Sequence, residues 1–204
     1  ISKVDDSGAS LTDVSFRLYK VENGTQTPQN IWLGSDGVYY TNSDIAPEGA
    51  QQVPSGYITV DSNGYADLVG LDNSTTYSLV EEVTPTGYIS ADPIVLTVDA
   101  KGGITLAQND AAELLGGGAS LRVTNTSVTM DVTAVKQWLD GTDLPVKVKL
   151  TLDGSPQDEY GELTLSADNN WTATWEDVPV YIGGQQANYS VMETWIGDNT
   201  AYNH

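Results

Sequence analysis

The sequence predicts an all-β protein built as two tandem sandwiches, and three observations carry that prediction. Apolar and polar residues alternate in short bursts; clusters of Asp, Asn, Ser and Gly separate the bursts; and one strand pattern recurs in the second half of the chain. No long stretch shows the three-to-four-residue apolar spacing of an amphipathic helix. The 204 residues, 20 of them Gly, suffice for one large or two ordinary domains with real cores, and the recurrence favours two.

Strands are expected near 1–5, 13–20, 56–60, 64–69, 76–83, 93–99, 103–107 and 119–126, which together complete a first sandwich. Turn signals divide them at Asp6-Ser7-Gly8, Asp61-Ser62-Asn63-Gly64, Asp72-Asn73-Ser74 and Lys101-Gly102-Gly103. Residues 23–55 are a long insertion, in which Ile31 to Tyr40 reads as a hairpin turning at Asp36-Gly37. Asp110 to Leu115, followed by three glycines, reads as one or two helical turns with Asp110 as N-cap.

A second set of strands is expected near 129–139, 145–152, 160–166, 171–176 and 188–195. Here Trp175-Glu176-Asp177-Val178-Pro179 precedes Tyr189-Ser190-Val191-Met192-Glu193. In the first set Leu68-Val69-Gly70-Leu71 likewise precedes Tyr77-Ser78-Leu79-Val80-Glu81. Both blocks end in Tyr-x-(Leu/Val)-x-Glu, so the second set is a shorter copy lacking a final strand. The boundary falls near Ser127-Val128, giving domains 1–127 and 128–204. Almost no linker remains between them, and a semi-rigid rod is expected. Trp171 and Trp175 share parity with Ala173 and are expected in the second core.

Three polar residues sit on apolar parities. In 119–126, Asn125 lies on the face of Ala119, Leu121 and Val123; in 77–83, Glu81 lies with Tyr77, Leu79 and Val83; and Lys3 shares parity with Ile1. Further on, Lys136 alternates in phase with Met130, Val132, Ala134 and Trp138. A Lys, a Glu and an Asn aimed into β cores suggest a covalent crosslink that the protein makes itself. The plainer alternatives are that Lys3 snorkels from an edge strand and that Lys136 and Glu193 form a buried ion pair.

Composition excludes several other functions. A formal net charge of −20, from 28 acidic against 8 basic residues, would repel nucleic acid and an anionic membrane surface, and no membrane insertion is expected. There is no cysteine, so disulfides, thioesters and thiolate metal sites are out, and His204 is the only histidine. No catalytic triad or phosphate-cradling loop can be assembled, and nothing positions a glycosidase-type pair of carboxylates. The stretch Asp61 to Gly64 lacks the ligand pattern of a calcium loop; no metal and no cofactor are expected. No signal peptide, spanning segment or sorting tail is read, which fits either a mature fragment or a cytosolic chain.

The residues quoted so far resemble the Cna protein B-type domains of Gram-positive surface adhesins and pilins, two in tandem. Lys3-Val4-Asp5 with Phe16-Arg17-Leu18-Tyr19, Tyr77 to Glu81 with Pro85-Thr86-Gly87-Tyr88, and Arg122-Val123-Thr124-Asn125 carry the resemblance in the first domain. Lys136-Gln137-Trp138, the Trp171 to Pro179 stretch and Tyr189 to Glu193 carry it in the second. The resemblance implies prealbumin-like, Ig-like sandwiches, each with an isopeptide bond between Lys and Asn or Asp promoted by a Glu. By position these are Lys3, Asn125 and Glu81 in the first domain, and Lys136 and Glu193 in the second. The second domain lacks an evident electrophile, since Asn199 and Asn203 lie in a polar tail without flanking apolar alternation.

Burial is what would let these side chains react. Desolvation favours the neutral form of an amine and of a carboxylic acid alike, and folding supplies the proximity. Such a reaction is a single turnover on the protein itself, not enzymatic activity in the ordinary sense. Two function classes follow. The first is a stalk or pilin-type segment, extracellular and anchored to the wall of a Gram-positive cell, whose partners are the neighbouring domains of the same surface protein. The second is a ligand-binding adhesin module that contacts a host glycan or matrix protein through the 23–55 insertion, with Trp32, Tyr39 and Tyr40 as the contact residues.

Overall fold

The computed structural model describes residues 1–118, 120–139, 141, 143–182 and 185–196. Among them regular structure is β strand, apart from three short 3-10 turns. The chain divides into two compact units, Ile1–Ser127 and Val128–His204, each with its own apolar core.

In the first unit one sheet sets Ser2–Asp5 parallel to Ser120–Ser127, which also pairs antiparallel with Ala112–Leu115 and Tyr88–Ile89. The other sheet runs Ile104–Leu106, Ile94–Val98, Thr75–Val83, Ser15–Glu22, Thr25–Pro28, all antiparallel, with Tyr57–Thr59 on the same edge of Ser15–Glu22 as Thr25–Pro28. The inward residues of this sheet, among them Phe16, Leu18, Tyr77, Leu79, Ile94 and Leu96, meet Leu121 and Val123 of the first. Period-two alternation sets this arrangement: along Ser120–Ser127, Leu121, Val123 and Asn125 are buried, while Arg122 and Thr126 are exposed. Ala119, expected to share that face, lies outside the described residues.

One local expectation needs correction. The stretch from Asp110 is not helical: Ala112–Leu115 is a strand in register with Ser120–Val123, and exposed Glu113 meets Arg122 across the pair at 2.8 Å. Ladder hydrogen bonds to the last strand and alternating burial outweigh the weak local helix signal. Within this stretch Gly116–Gly118 alone forms a 3-10 turn. The insertion, in turn, is built into the unit. Gln51–Gln52, Trp32–Leu33, Tyr39–Tyr40 and Leu68–Val69 form a small sheet, with the expected turn at Asp36-Gly37, where Gly37 has φ 80°. Ile31 and Tyr39 reach the main core.

In the second unit Thr129–Val135 pairs with Thr172–Pro179, and Val146–Leu152 lies between Glu162–Leu165 and Tyr189–Ile196. Ala134, Val146, Val148, Leu150, Leu165, Trp175 and Val178 form the core, with Trp171 and Ala173 packed against it. The first strand is shorter than expected. It ends at Val135, although Lys136 N still donates to Trp171 O at 2.9 Å. Thr129–Val135 pairs along one edge only among the described residues.

Candidate functional site

The first strand enters the unit between Ser120–Ser127 on one edge and the Gly64 and Leu11 backbone on the other. Lys3 N donates to Gly64 O at 2.8 Å, and Leu11 N donates to Lys3 O at 3.0 Å. Gly64 has to be glycine, because it combines φ +79° with a position where a Cβ would stand 2.8 Å from Lys3 O. The Asp61 to Gly64 turn is thus a clamp on the first strand. Its Asp61 carboxylate accepts from the backbone N–H groups of Asn63 and Tyr65, at 2.8 and 2.9 Å. No cluster of metal-ligating residues occurs among the described residues.

Lys3, Glu81 and Asn125 converge inside the sandwich. The side chains of Lys3 and Glu81 are fully enclosed, and Asn125 is buried. Lys3 Nζ donates to Asn125 Oδ1 at 2.5 Å and to Val123 O at 3.3 Å, and stands 3.6 Å from Glu81 Oε2. Asn125 Nδ2 donates to Glu81 Oε1 at 2.7 Å. One carboxylate therefore spans the amine and the amide nitrogen, with an oxygen for each. Burial pushes the Lys3 ammonium down to about 8; the negative charge of Glu81 and, more weakly, of Asp5 pulls in the other direction.

Glu81 and Glu82 part company at a register slip. Phe16 pairs with Glu81 and Ser15 with Val83, so Glu82 is the extra residue of a bulge. Glu82 faces out, where its Oε1 accepts from Tyr19 Oη at 3.0 Å. Sequence parity finds the three central residues but misses a fourth contact, from the backbone: Ala91 N donates to Glu81 Oε2 at 3.4 Å. The only sequence signal for that contact is the Pro85-Thr86-Gly87-Tyr88 turn, which brings the chain back over Glu81.

In the second unit Lys136 Nζ meets Glu193 Oε1 at 2.7 Å. This pair is wetter than the core-facing placement expected of it: the Lys136 side chain is 20% exposed and that of Glu193 42%. The ammonium also lies 4.4 Å from the centre of the Trp138 ring. A cleft of about 290 Å³ opens beside the pair, lined by Thr133, Ala134, Val135, Val148, Leu165 and Val191. Among the described residues Thr129–Val135 pairs with Thr172–Pro179 alone. Asn199, Asn203 and His204 lie outside the described residues.

The aromatic residues of the insertion do not form a single surface patch. Tyr39 is a core residue, 9% exposed, with Oη donating to Thr59 O at 3.2 Å and accepting from Thr59 N at 3.1 Å. The period-two pleat sends Tyr39 inward and leaves Tyr40 half-buried, its hydroxyl on Asp36 Oδ2 at 2.7 Å. Trp32 is half-buried as well.

Family models match both units. Residues 1–112 match the prealbumin-like fold domain, a stretch that includes Lys3 and Glu81 and ends before Asn125. Residues 132–203 match the Cna protein B-type domain. No curated protein sequence matches significantly. Among solved structures, two B repeat units of the collagen-binding protein of Staphylococcus aureus align at 19% identity and TM-score 0.38, over 94% of this chain and 43% of that one. The C-terminal fragment of the pilus adhesin SpaC from Lactobacillus rhamnosus GG aligns at 11% identity and TM-score 0.38, over 97% of this chain and 74% of that one. A streptococcal ancillary pilin aligns at 17% identity and TM-score 0.34, over 98% and 58%. The chain thus spans under half the length of the first of these. By its sequence the chain belongs to the family of prealbumin-like domains, and its second unit matches the Cna protein B-type domain.

Proposed function

We propose that this chain is a stalk or pilin-type segment of a bacterial surface adhesin, on the outside of a Gram-positive cell, whose first unit locks itself with a Lys3–Asn125 isopeptide bond. The observation that carries this reading is the contact triangle: Nζ at 2.5 Å from the amide oxygen, and one enclosed carboxylate reaching both nitrogens. The reaction passes one proton through Glu81. Lys3 Nζ, as the free amine, attacks Asn125 Cγ, and the proton it sheds is taken up by the Glu81 carboxylate. The carboxyl group hands that proton on to Nδ2, the Cγ–Nδ2 bond breaks, and ammonia leaves. The new Cγ–Nζ amide and one ammonia balance the amine and the primary amide consumed.

Placement explains the benefit. Lys3 lies in the first strand of the unit and Asn125 in the last, so the bond closes a loop of nearly the whole unit. By the disulfide analogy it contributes about 4–5 kcal/mol by restricting the unfolded chain. Tension entering at the first strand passes straight into its parallel neighbour, bypassing the strands between. Lys136 and Glu193 are the corresponding pair of the second unit in this reading, awaiting an Asn or Asp from a further strand. The ligand-binding alternative draws less support, since Ile31 and Tyr39 tie the insertion to its own core. Intact-mass measurement tests the proposal: a first unit lighter by one ammonia is expected, and a full mass on folded protein overturns it.

A further inference from the structure

The segment from Tyr88 to Pro93 lies over the enclosed carboxylate and is fastened at both ends. At one end Tyr88–Ile89 pairs with Thr126–Ser127 of the last strand, and Tyr88 Oη donates to Asp5 Oδ2 of the first strand at 3.2 Å. At the other, Asn109 Nδ2 donates to Pro93 O at 3.3 Å. Between these anchors Ala91 N reaches Glu81 Oε2. Asp5 is a rigid mooring, because its other oxygen already accepts from Ser7 N, Ser7 Oγ and Ala9 N at 3.0, 2.7 and 2.8 Å. It is also the register partner of Asn125. Tyr88 thus ties the covering segment to the two strands that bear the nucleophile and the electrophile.

We propose that Tyr88 is a positioning residue for crosslinking: its hydroxyl, moored on Asp5, holds the covering segment so that the Ala91 N–H fixes Glu81 with Oε2 toward Lys3 and Oε1 toward Asn125. This inference rests on the crosslinking reading above. Glu81 has one soft torsion at its carboxylate, and a fixed N–H donor on Oε2 prevents the two oxygens from exchanging roles. The Lys3 side chain is fully enclosed, and in this proposal the covering segment contributes to that enclosure. The charged groups facing Lys3 are Glu81 from the opposite sheet and Asp5 on its own strand, and loosening the cover admits solvent to the enclosed Lys3 and Glu81.

The test follows the loss of ammonia by intact mass in freshly synthesised, cell-free protein quenched at intervals across a pH series. Tyr88→Phe removes only the hydroxyl and keeps the ring. It is expected to slow ammonia loss about tenfold, the effect of one hydrogen bond on a barrier. Its pH profile should move to higher pH as the Lys3 amine regains water, while Tyr65→Phe, at an exposed ring, reacts like the parent. Thermal stability is compared in a Glu81→Gln background, where no crosslink forms, and Tyr88→Phe is expected to leave it nearly unchanged there. An unchanged rate overturns the proposal. So does a slower rate with an unmoved pH profile and a matching loss of stability in the Glu81→Gln background, which marks a merely structural residue. A parent protein that never loses ammonia removes the crosslinking reading itself, and this inference with it.

Discussion

Lys3 and Asn125 are diagonal neighbours on two parallel strands: Lys3 is in register with Val123, and Asn125 with Asp5. Both side chains therefore emerge on the same face two residues apart, a separation that a lysine stem can span. Direct register partners would crowd the amine against the amide with no room for Glu81. The diagonal leaves the carboxylate, arriving from the opposite sheet, a place between them.

The lock should be visible in stability. Glu81→Gln keeps the shape of the side chain but removes the proton carrier, so the full mass should return and unfolding should cost about 4–5 kcal/mol less. Denaturant titration of the isolated first unit beside intact mass checks both outcomes. Glu82→Gln, on the outer face, should crosslink as the parent does.

Crosslinking should depend on pH through the amine. Lys3 must be neutral to attack, and its folded value of about 8 lies below the ordinary lysine value of 10.5. The rate should rise through about pH 8 and level off above it. A rate that first begins to climb near pH 10 would mean that the amine reacts in water.

The two lysines should differ chemically. Lys136 is partly exposed and should take up an amine-acylating reagent on the folded chain, while Lys3, enclosed and bonded, should not. Peptide mapping after labelling reads this directly. Joining a further strand that bears Asn or Asp should protect Lys136 and remove a second small molecule, ammonia for Asn or water for Asp.

Limited proteolysis should cut beyond residue 128 first. The second unit has a smaller core and an open cleft beside its Lys–Glu pair, so it opens at lower cost than the first. Early loss of the first unit would contradict this order.

Within the insertion, Tyr39→Ala should destabilise the first unit by about 3 kcal/mol or more, because it empties a core site and strands Thr59 N. Tyr40→Ala should stay within about 1 kcal/mol. Trp32→Ala combined with Tyr40→Ala is therefore the variant for a glycan or matrix-protein array. Lost binding by the folded double variant would favour the adhesin reading.

Period two made much of this protein legible in its sequence. A residue's face on a strand follows from counting alone, so Lys3, Glu81 and Asn125 stand out as polar side chains on inward parities, and the all-β class follows from the same pattern. The repeat of Tyr-x-(Leu/Val)-x-Glu marks a second unit for the same reason. What counting cannot give is which strands become neighbours, because pairing is decided by long-range hydrogen bonds and by the packing of one sheet on the other. Tertiary structure alone made Ala112–Leu115 a strand, placed Ser2–Asp5 parallel to Ser120–Ser127 on the diagonal that joins Lys3 to Asn125, and folded Ala91 back onto Glu81. It also left the Lys136 side chain 20% and the Glu193 side chain 42% exposed: parity gives a side chain its face, but enclosure is a property of neighbours and not of the residues themselves.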